Sequence, residues 1–116
     1  MLAVMTHPLG ESAFWILTAL AAGRRHGYAI VQEAAGASGG AVRLKATTLY
    51  SVLERLEADG LVQQDGDEVV DGRTRRYYRL TDGGAGRLRT DTDLLESKVR
   101  IARSNLARFR PVKGLA

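Results

Sequence analysis

Residues 45–60 narrow the possible folds more than any other segment, because they predict a short amphipathic helix with a defined start and stop. Apolar residues recur there with the spacing of one helical face. They are Leu49, Val52, Leu53 and Leu56. Thr47 or Thr48 is expected to cap the first turn, and Gly60 suits the left-handed residue after the last turn. This segment is therefore expected to bury one face against a small core and to expose the other.

The exposed face of this helix carries hydroxyl and cationic groups. Free N–H groups and a partial positive charge at a helix N-terminus attract phosphate, and hydroxyl and cationic side chains contact DNA backbone and base edges. The residues predicted to contact DNA here are Lys45, Thr47, Thr48, Tyr50, Ser51 and Arg55. The alternative is that Tyr50 is half-buried packing and that Arg55 pairs with a carboxylate of its own helix, Glu54 or Glu57.

A hairpin is predicted after this helix. Residues 61–64, 68–70 and 76–80 have extended patterns, and Asp71-Gly72 is a turn signal between the last two. Strand alternation places Tyr78 and Leu80 on one face, which we expect to lie against the core.

Arginines crowd around the turn of this hairpin. Residues 71–79 hold one acid and four arginines, a net charge of +3. Arg73, Arg75 and Arg76 are predicted to contact DNA, since a wing of this kind lays an arginine in the minor groove. The alternative is a solvated edge strand protected by charge against aggregation. Four arginines exceed what such protection needs, which favours the wing.

Earlier segments predict two more helices and a short strand. Residues 11–22 are strongly apolar, with Pro8 where a first helical turn could begin. A second helix runs to about Ala35, and residues 42–44 alternate like a short strand. The order of helix, helix, short strand, helix, strand, strand and helix is typical of a winged helix-turn-helix. The predicted fold class is α+β, mainly α, with a winged helix-turn-helix domain over residues 9–80 and a C-terminal dimerisation helix over 81–110.

The last helix carries an apolar seam with alternating spacings of three and four residues from Thr92 onward. The residues predicted to form a dimer interface are Leu95, Val99, Ala102, Leu106 and Phe109. Thr81 is the expected N-cap, and residues 108–116 are expected to be a frayed tail. The alternative to dimerisation is that this helix folds back on its own domain. In a homodimer, two recognition helices would lie roughly 34–36 Å apart, one turn of DNA.

Composition excludes several classes of protein. Apolar residues make up 45% of the 116 residues, too many for a disordered chain, and the absence of cysteine excludes disulfides and thiolate sites. No apolar run approaches the roughly 18 residues of a membrane span, and residues 1–9 lack a secretory signal. The whole net charge of +4 lies in residues 81–116. We expect a cytoplasmic protein that has no membrane contact.

No catalytic or metal-binding constellation is found in the sequence. His7 and His26 have no acidic or cysteine companions at ligand spacing, so we expect no metal site, no cofactor and no enzymatic activity. His26 is expected to cap or pack at the start of the second helix. Phe14 and Trp15 point to different faces of the first helix. One is expected to belong to the core. For the other, plain packing is favoured, and the alternative is that it faces the dimer seam and lines a ligand pocket.

Several separated strings resemble the PadR family of bacterial transcriptional regulators. They are His26-Gly27-Tyr28; Thr48-Leu49-Tyr50 with Leu53, Arg55-Leu56-Glu57 and Gly60-Leu61; and Arg76-Tyr77-Tyr78 with Leu80-Thr81 and Gly84. The match covers about residues 9–90, and the single short C-terminal helix resembles the compact branch of the family. Two features depart from the family pattern. Ala46-Thr47 stand where the family often has Pro-Gly or Ala-Gly, and the last helix lacks the tryptophan on which some multidrug-binding members stack drugs.

The resemblance implies a homodimeric winged-helix repressor that binds a palindromic operator in double-stranded DNA and releases it when a small-molecule effector binds. It also implies DNA contacts for Thr48, Tyr50 and the wing arginines. We therefore predict a sequence-specific DNA-binding transcriptional regulator. The alternative is a dimeric winged-helix adaptor that binds proteins and has lost DNA contact.

Overall fold

The computed structural model describes residues 8–112, which form four helices and a small antiparallel sheet. The elements in chain order are α1 (Glu11–Ala21), β1 (Arg25–His26), α2 (Gly27–Ala37), α3 (Ala46–Ala58), β2 (Val62–Val70), β3 (Arg73–Leu80) and α4 (Asp82–Arg108). The sheet has the strand order β1-β3-β2, and both of its strand pairs are antiparallel. The predicted fold class, mainly helical with a winged helix-turn-helix, is confirmed. Helices α2 and α3 form the helix-turn-helix, and strands β2 and β3 form the wing.

The core lies where α1, α2, α3 and the base of the sheet meet. Its largest fully buried side chains are Ile16, Leu17, Ile30, Leu49, Leu53 and Val62. The predicted apolar face of α3 is confirmed, since Leu49, Leu53 and Leu56 are buried and Val52 packs partly against the core. Tyr78 is buried and Leu80 is partly buried, as strand alternation predicts.

The short strand was predicted in the wrong place. Residues 42–44 are not a strand, because they lie in an irregular loop without a ladder partner, in which Val42 is buried and Leu44 is partly buried. The third strand is instead β1, where Arg25 pairs with Tyr78 and His26 with Tyr77. A two-residue strand without apolar residues has no pattern from which it could be read.

The helix starts differ partly from prediction. Helix α3 begins after Lys45, whose backbone is extended and whose side chain makes no capping hydrogen bond, so the prediction of a threonine cap is wrong. Thr47 and Thr48 lie inside the first turn with exposed side chains. Pro8 also lies outside the helix that it was expected to start, since Gly10 is the N-cap of α1. The predicted caps at His26 and Thr81 are confirmed, with acceptor-to-nitrogen distances of 3.3 Å to Ala29 and 2.9 Å to Gly84.

Left-handed residues end α3 and turn the wing. Gly60 has a φ of 76°, the value that the end of α3 requires. Asp71 and Gly72 have φ values of 52° and 75°, so both central residues of the wing turn are left-handed. This is the type I′ geometry that matches the twist of a hairpin, and it confirms the predicted turn.

Helix α4 packs on the domain only through its first half. Gly84 is buried, Leu88 is partly buried, and the buried Asp91 carboxylate accepts a hydrogen bond from the Leu9 amide at 2.8 Å. From Leu94 onward the side chains are mostly exposed, and the described residues span 67 Å along their longest axis. The helix reaches Arg108, so the predicted tail overlaps its end, and residues 113–116 of that tail lie outside the described residues. Within residues 8–112, none of the helices has both the length and the apolar content to cross a bilayer.

Candidate nucleic-acid interface

One cleft joins α3, the start of α2 and the wing. Its volume is about 420 Å³. The residues that line it are His26, Gly27, Tyr28, Tyr50, Arg73, Thr74, Arg75 and Arg76. Four residues predicted from the sequence to contact DNA, Tyr50 and the three wing arginines, therefore meet in one place. The surface they form combines phenol hydroxyls with guanidinium groups, which suits an anionic partner.

Tyr50 reaches this cleft because Gly27 has no side chain. A Cβ at Gly27 would overlap the Tyr50 hydroxyl and would lie 3.2 Å from Leu49 Cδ2. The Tyr50 ring therefore rests on the first turn of α2 while 48% of the residue stays exposed. Half of the ring packs, as the alternative interpretation held, and the other half faces the cleft.

The wing arginines differ in how strongly they are engaged. Arg76 Nε lies 3.3 Å from Asp67 Oδ1, in an ion pair that is about half exposed. Arg73 and Arg75 are exposed and make no ion pair within residues 8–112. Glu68, which is opposite Arg75 in the ladder, accepts the Tyr77 hydroxyl at 2.8 Å. Two of the three guanidinium groups are thus left for a ligand.

The remaining candidates lie along the outer face of α3, beside the cleft. Lys45, Thr47, Thr48, Ser51 and Arg55 are all exposed. The alternative pairing of Arg55 is wrong, because Arg55 makes no ion pair with Glu54 or Glu57. Glu57 instead accepts a hydrogen bond from Gln64 at 3.3 Å.

The family assignment comes from the sequence itself. Residues 16–90, which run from the middle of α1 through the sheet to the start of α4, match the profile of the transcriptional regulator PadR-like family. The chain belongs to the PadR-like family of transcriptional regulators. This confirms the family that the sequence motifs resemble.

Individual proteins are also similar to this chain in sequence or in fold. Transcriptional regulator Rv3488 of Mycobacterium tuberculosis is 48% identical over 58 residues, which are 50% of this chain and 53% of that protein. The chain spans about half the length of the curated relatives it matches. A PadR family transcription regulator from Clostridium difficile R20291 has the same fold, with a TM-score of 0.69, 24% identity, and coverage of 84% of this chain and 99% of that one. Bacillus subtilis PadR, solved in complex with operator DNA, gives a TM-score of 0.57 at 21% identity, covering 90% of this chain and 51% of that one.

Sequence reasoning missed part of the cleft in this PadR-like chain. Tyr28 is 65% exposed and lines the cleft beside Tyr50, and His26 and Gly27 complete that wall. The string His26-Gly27-Tyr28 served only to identify the family. Its role as a wall of the cleft depends on the packing of α2 against α3, which no local pattern reveals.

The environment of His26 favours its neutral form. Burial lowers its pKa, Arg75 lowers it further, and Glu68 opposes both. Its Nδ1 accepts the Ala29 amide, which a protonated nitrogen could not do. Burial also raises the pKa of the Tyr78 phenol, and the hydrogen bond to Glu68 raises that of Tyr77. All three groups therefore stay uncharged near neutral pH.

A second cavity, of about 630 Å³, lies between α1 and α4. Phe14 and Trp15 both line it, so the prediction that one belongs to the core is wrong. The buried stripe of α1 is formed by Ile16, Leu17 and Leu20, and the two aromatic residues flank it. Their rings meet edge to face at 5.3 Å, and Trp15 Nε1 donates to Glu11 at 3.0 Å. The cavity thus has an aromatic wall with a carboxylate at its edge.

The predicted seam of α4 is exposed. Leu95, Val99, Leu106 and Phe109 keep between 47% and 69% of their surface, and Ala102 is exposed as well. Phe109 lies just past the helix as its C-cap. Folding back accounts only for the part of α4 before Leu94, so this row of apolar side chains has no cover within the described residues.

Proposed function

We propose that this protein is a homodimeric transcriptional repressor that binds a palindromic operator in double-stranded DNA. The observation that carries the proposal is the cleft in which Tyr50 of α3 meets Arg73 and Arg75, the two wing guanidinium groups without ion pairs. The solved complex of B. subtilis PadR with operator DNA supports DNA as the partner, since that chain shares this fold.

In the proposed complex, α3 lies in the major groove and the wing lies over the neighbouring backbone. Lys45, Thr47 and Thr48 contact phosphates at the start of α3, where the helix dipole also attracts them. Tyr50 and Ser51 reach base edges or backbone, and Arg55 reaches across the groove. The wing arginines then anchor the protein on the next phosphates, with one of them in the minor groove.

Dimerisation through the seam of α4 gives this arrangement its symmetry. Two copies related by a two-fold axis present two α3 helices to half-sites roughly 34–36 Å apart, which matches a palindrome. Burial of four large apolar side chains per copy supplies the driving force for this contact.

The proposed effector is a small aromatic molecule that binds beside Phe14 and Trp15. The cavity between α1 and α4 has the volume of a typical small-molecule site, and Trp15 is the single tryptophan of the chain. A ligand there touches both α1 and α4, so it can change the dimer and release the operator. The stacking tryptophan of this protein would thus lie on α1 and not on the last helix.

Fluorescence anisotropy with labelled duplexes tests the proposal. The purified protein is titrated with the DNA upstream of its own gene and with an unrelated duplex, at several salt concentrations. Affinity should fall steeply with salt. The double variant Arg73→Ala/Arg75→Ala should bind both duplexes more weakly and should reduce the salt slope by about two.

Arg76→Ala is the matched control, because Asp67 already engages this guanidinium and its loss should cost less affinity. If the double variant keeps the affinity and slope of the wild type, the role of the wing is wrong. If the wild type binds neither duplex in a salt-dependent way, DNA binding itself is contradicted and the adaptor alternative gains support.

A further inference from the structure

Arg24 connects the body of the domain to the wing at the level where the three-stranded sheet ends. Strand β1 pairs with β3 only at Tyr78 and Tyr77. Beyond that level, residues 66–76 form a two-stranded ribbon whose side chains are nearly all exposed. Such a ribbon has little packing of its own to fix its direction. Its orientation therefore depends on what holds its base.

A β-bulge lies at the base of this ribbon. Between Gln64 and Asp67 the register shifts, so that Asp65 and Gly66 on β2 together oppose Tyr77 on β3. Gly66 is left-handed, with a φ of 89°. A bulge bends its strand and increases the local twist, and it therefore sets the angle at which the ribbon leaves the body.

The Arg24 side chain contacts the bulge on β2 and the residue opposite it on β3. Its Nη2 and Nε donate to the Asp65 carbonyl at 2.9 and 3.2 Å, and Nε lies 3.2 Å from Asp65 Oδ2. The same guanidinium lies 3.8 Å from the centre of the Tyr77 ring. Tyr77 also contacts the His26 ring edge to face, and its hydroxyl donates to Glu68. One side chain from the body thus contacts both strands of the wing at its hinge.

We infer that Arg24 is a positioning residue that fixes the direction of the wing relative to α3. This inference rests on the proposed function, because it matters for affinity only if the wing and α3 contact the same duplex. Holding Arg73 and Arg75 in place before binding removes the entropy cost of ordering them on the DNA. The contacts of Arg24 need a planar group with several donors that also stacks, which a lysine does not provide.

The test compares Arg24→Lys, Arg24→Ala and Asp65→Asn with the wild type. We expect Arg24→Lys to keep the charge and still weaken DNA binding by about tenfold, close to the effect of Arg24→Ala. If Arg24 were simply a phosphate contact, the lysine would retain the affinity. Wild-type affinity in Arg24→Lys would overturn the inference.

Asp65→Asn is an independent test, because it removes a negative charge near the DNA while it also removes the ion pair with Arg24. Removing an acid near the DNA should tighten binding if charge alone decides, whereas loss of the ion pair at the hinge should weaken it. The matched control is Asp71→Asn, which removes an acid from the wing turn, where asparagine accepts the same left-handed backbone. We expect Asp71→Asn to tighten binding and Asp65→Asn to weaken it. Tighter binding by both would overturn the inference.

Amide hydrogen exchange of the free protein separates this inference from the proposed function. In Arg24→Lys, residues 66–76 should exchange faster while the core helices keep their protection. Unchanged exchange of the ribbon would overturn the positioning role, whatever the DNA result. If the wild type fails to bind DNA, the proposed function fails, and faster exchange in Arg24→Lys still supports the hold on the wing.

Discussion

At the scale of single residues, His26 combines two tasks that depend on the same proton. Its Nδ1 caps α2, and its ring packs edge to face on the Tyr77 ring beside the cationic wing, with 5.4 Å between the ring centroids. Both tasks favour the neutral imidazole, because burial and Arg75 oppose a positive charge there. The start of α2 is therefore sensitive to mildly acidic pH.

The first prediction concerns this pH dependence. The pKa of His26 is lower in the folded protein than in the unfolded chain, so the unfolded chain binds the proton more readily. The contribution to stability is complete above the unfolded value of about 6.5 and is lost as the pH falls below it. Urea unfolding at a series of pH values should show this loss in the wild type and less of it in His26→Asn, which keeps a capping acceptor without titrating. Identical pH profiles would contradict the role assigned to His26.

The candidate site residues of α3 and the wing could be predicted from the sequence, whereas the residues that position them could not. Tyr50, Arg73 and Arg75 stand out by residue type and spacing, and the structure brings them to one cleft. Gly27 and Arg24 stand out only after folding, since each acts on a residue more than twenty positions away. A sequence pattern carries local information, and these contacts are tertiary.

At the scale of the elements, α4 shows how tertiary contact decides what a glycine means. Three glycines fall in its first five residues, which by propensity should weaken the helix. Gly84 is needed because a Cβ there would overlap the Leu61 carbonyl and would lie 2.6 Å from Leu80 Cδ1. At Gly86 nothing lies within 4 Å of the same position. The two glycines look alike in the sequence and differ completely in their surroundings.

The second prediction compares these two positions. Gly84→Ala should lower the free energy of unfolding by about 2 kcal/mol, because the helix must move away from the backbone of Leu61. Gly86→Ala should raise it by about 0.5–1 kcal/mol, since alanine favours the helix and meets no neighbour. Urea denaturation of both variants measures the difference. Equal effects would show that helix propensity and not close packing governs the start of α4.

The elements themselves were largely predictable, apart from the shortest. Periodicity found all four helices, and the Asp71-Gly72 turn located the wing. The strand β1 was missed because two residues give no period, and its role comes from pairing with β3. The start of α3 was misplaced because either threonine satisfies the capping preference, while the backbone turns at Lys45.

At the scale of the whole molecule, the outer half of α4 extends away from the domain with its apolar side chains exposed. Seam spacing could be predicted from the sequence. What covers the seam could not, because the spacing of apolar residues along one helix does not say which surface packs against them.

The third prediction tests the proposed dimer. Val99→Glu should place a charge in the centre of the seam and convert the dimer to monomer, as measured by analytical ultracentrifugation, with a matching loss of affinity for a palindromic duplex. Ser104→Glu adds the same charge on the opposite face of α4 and should leave the assembly intact. A dimer that persists in Val99→Glu would contradict the seam as the interface.

The hydrogen bond between the Leu9 amide and the buried Asp91 carboxylate holds α4 against the domain just before the helix leaves it. Asp91 also forms an ion pair with Arg87 of the same helix at 3.2 Å, which helps to fix the position of its carboxylate. The helix continues for about 25 Å beyond this point. A tilt of α4 by only a few degrees at Asp91 displaces the C-terminal end of the helix by about 2 Å. A disturbance too small to alter the core would thus be amplified at the tip of α4.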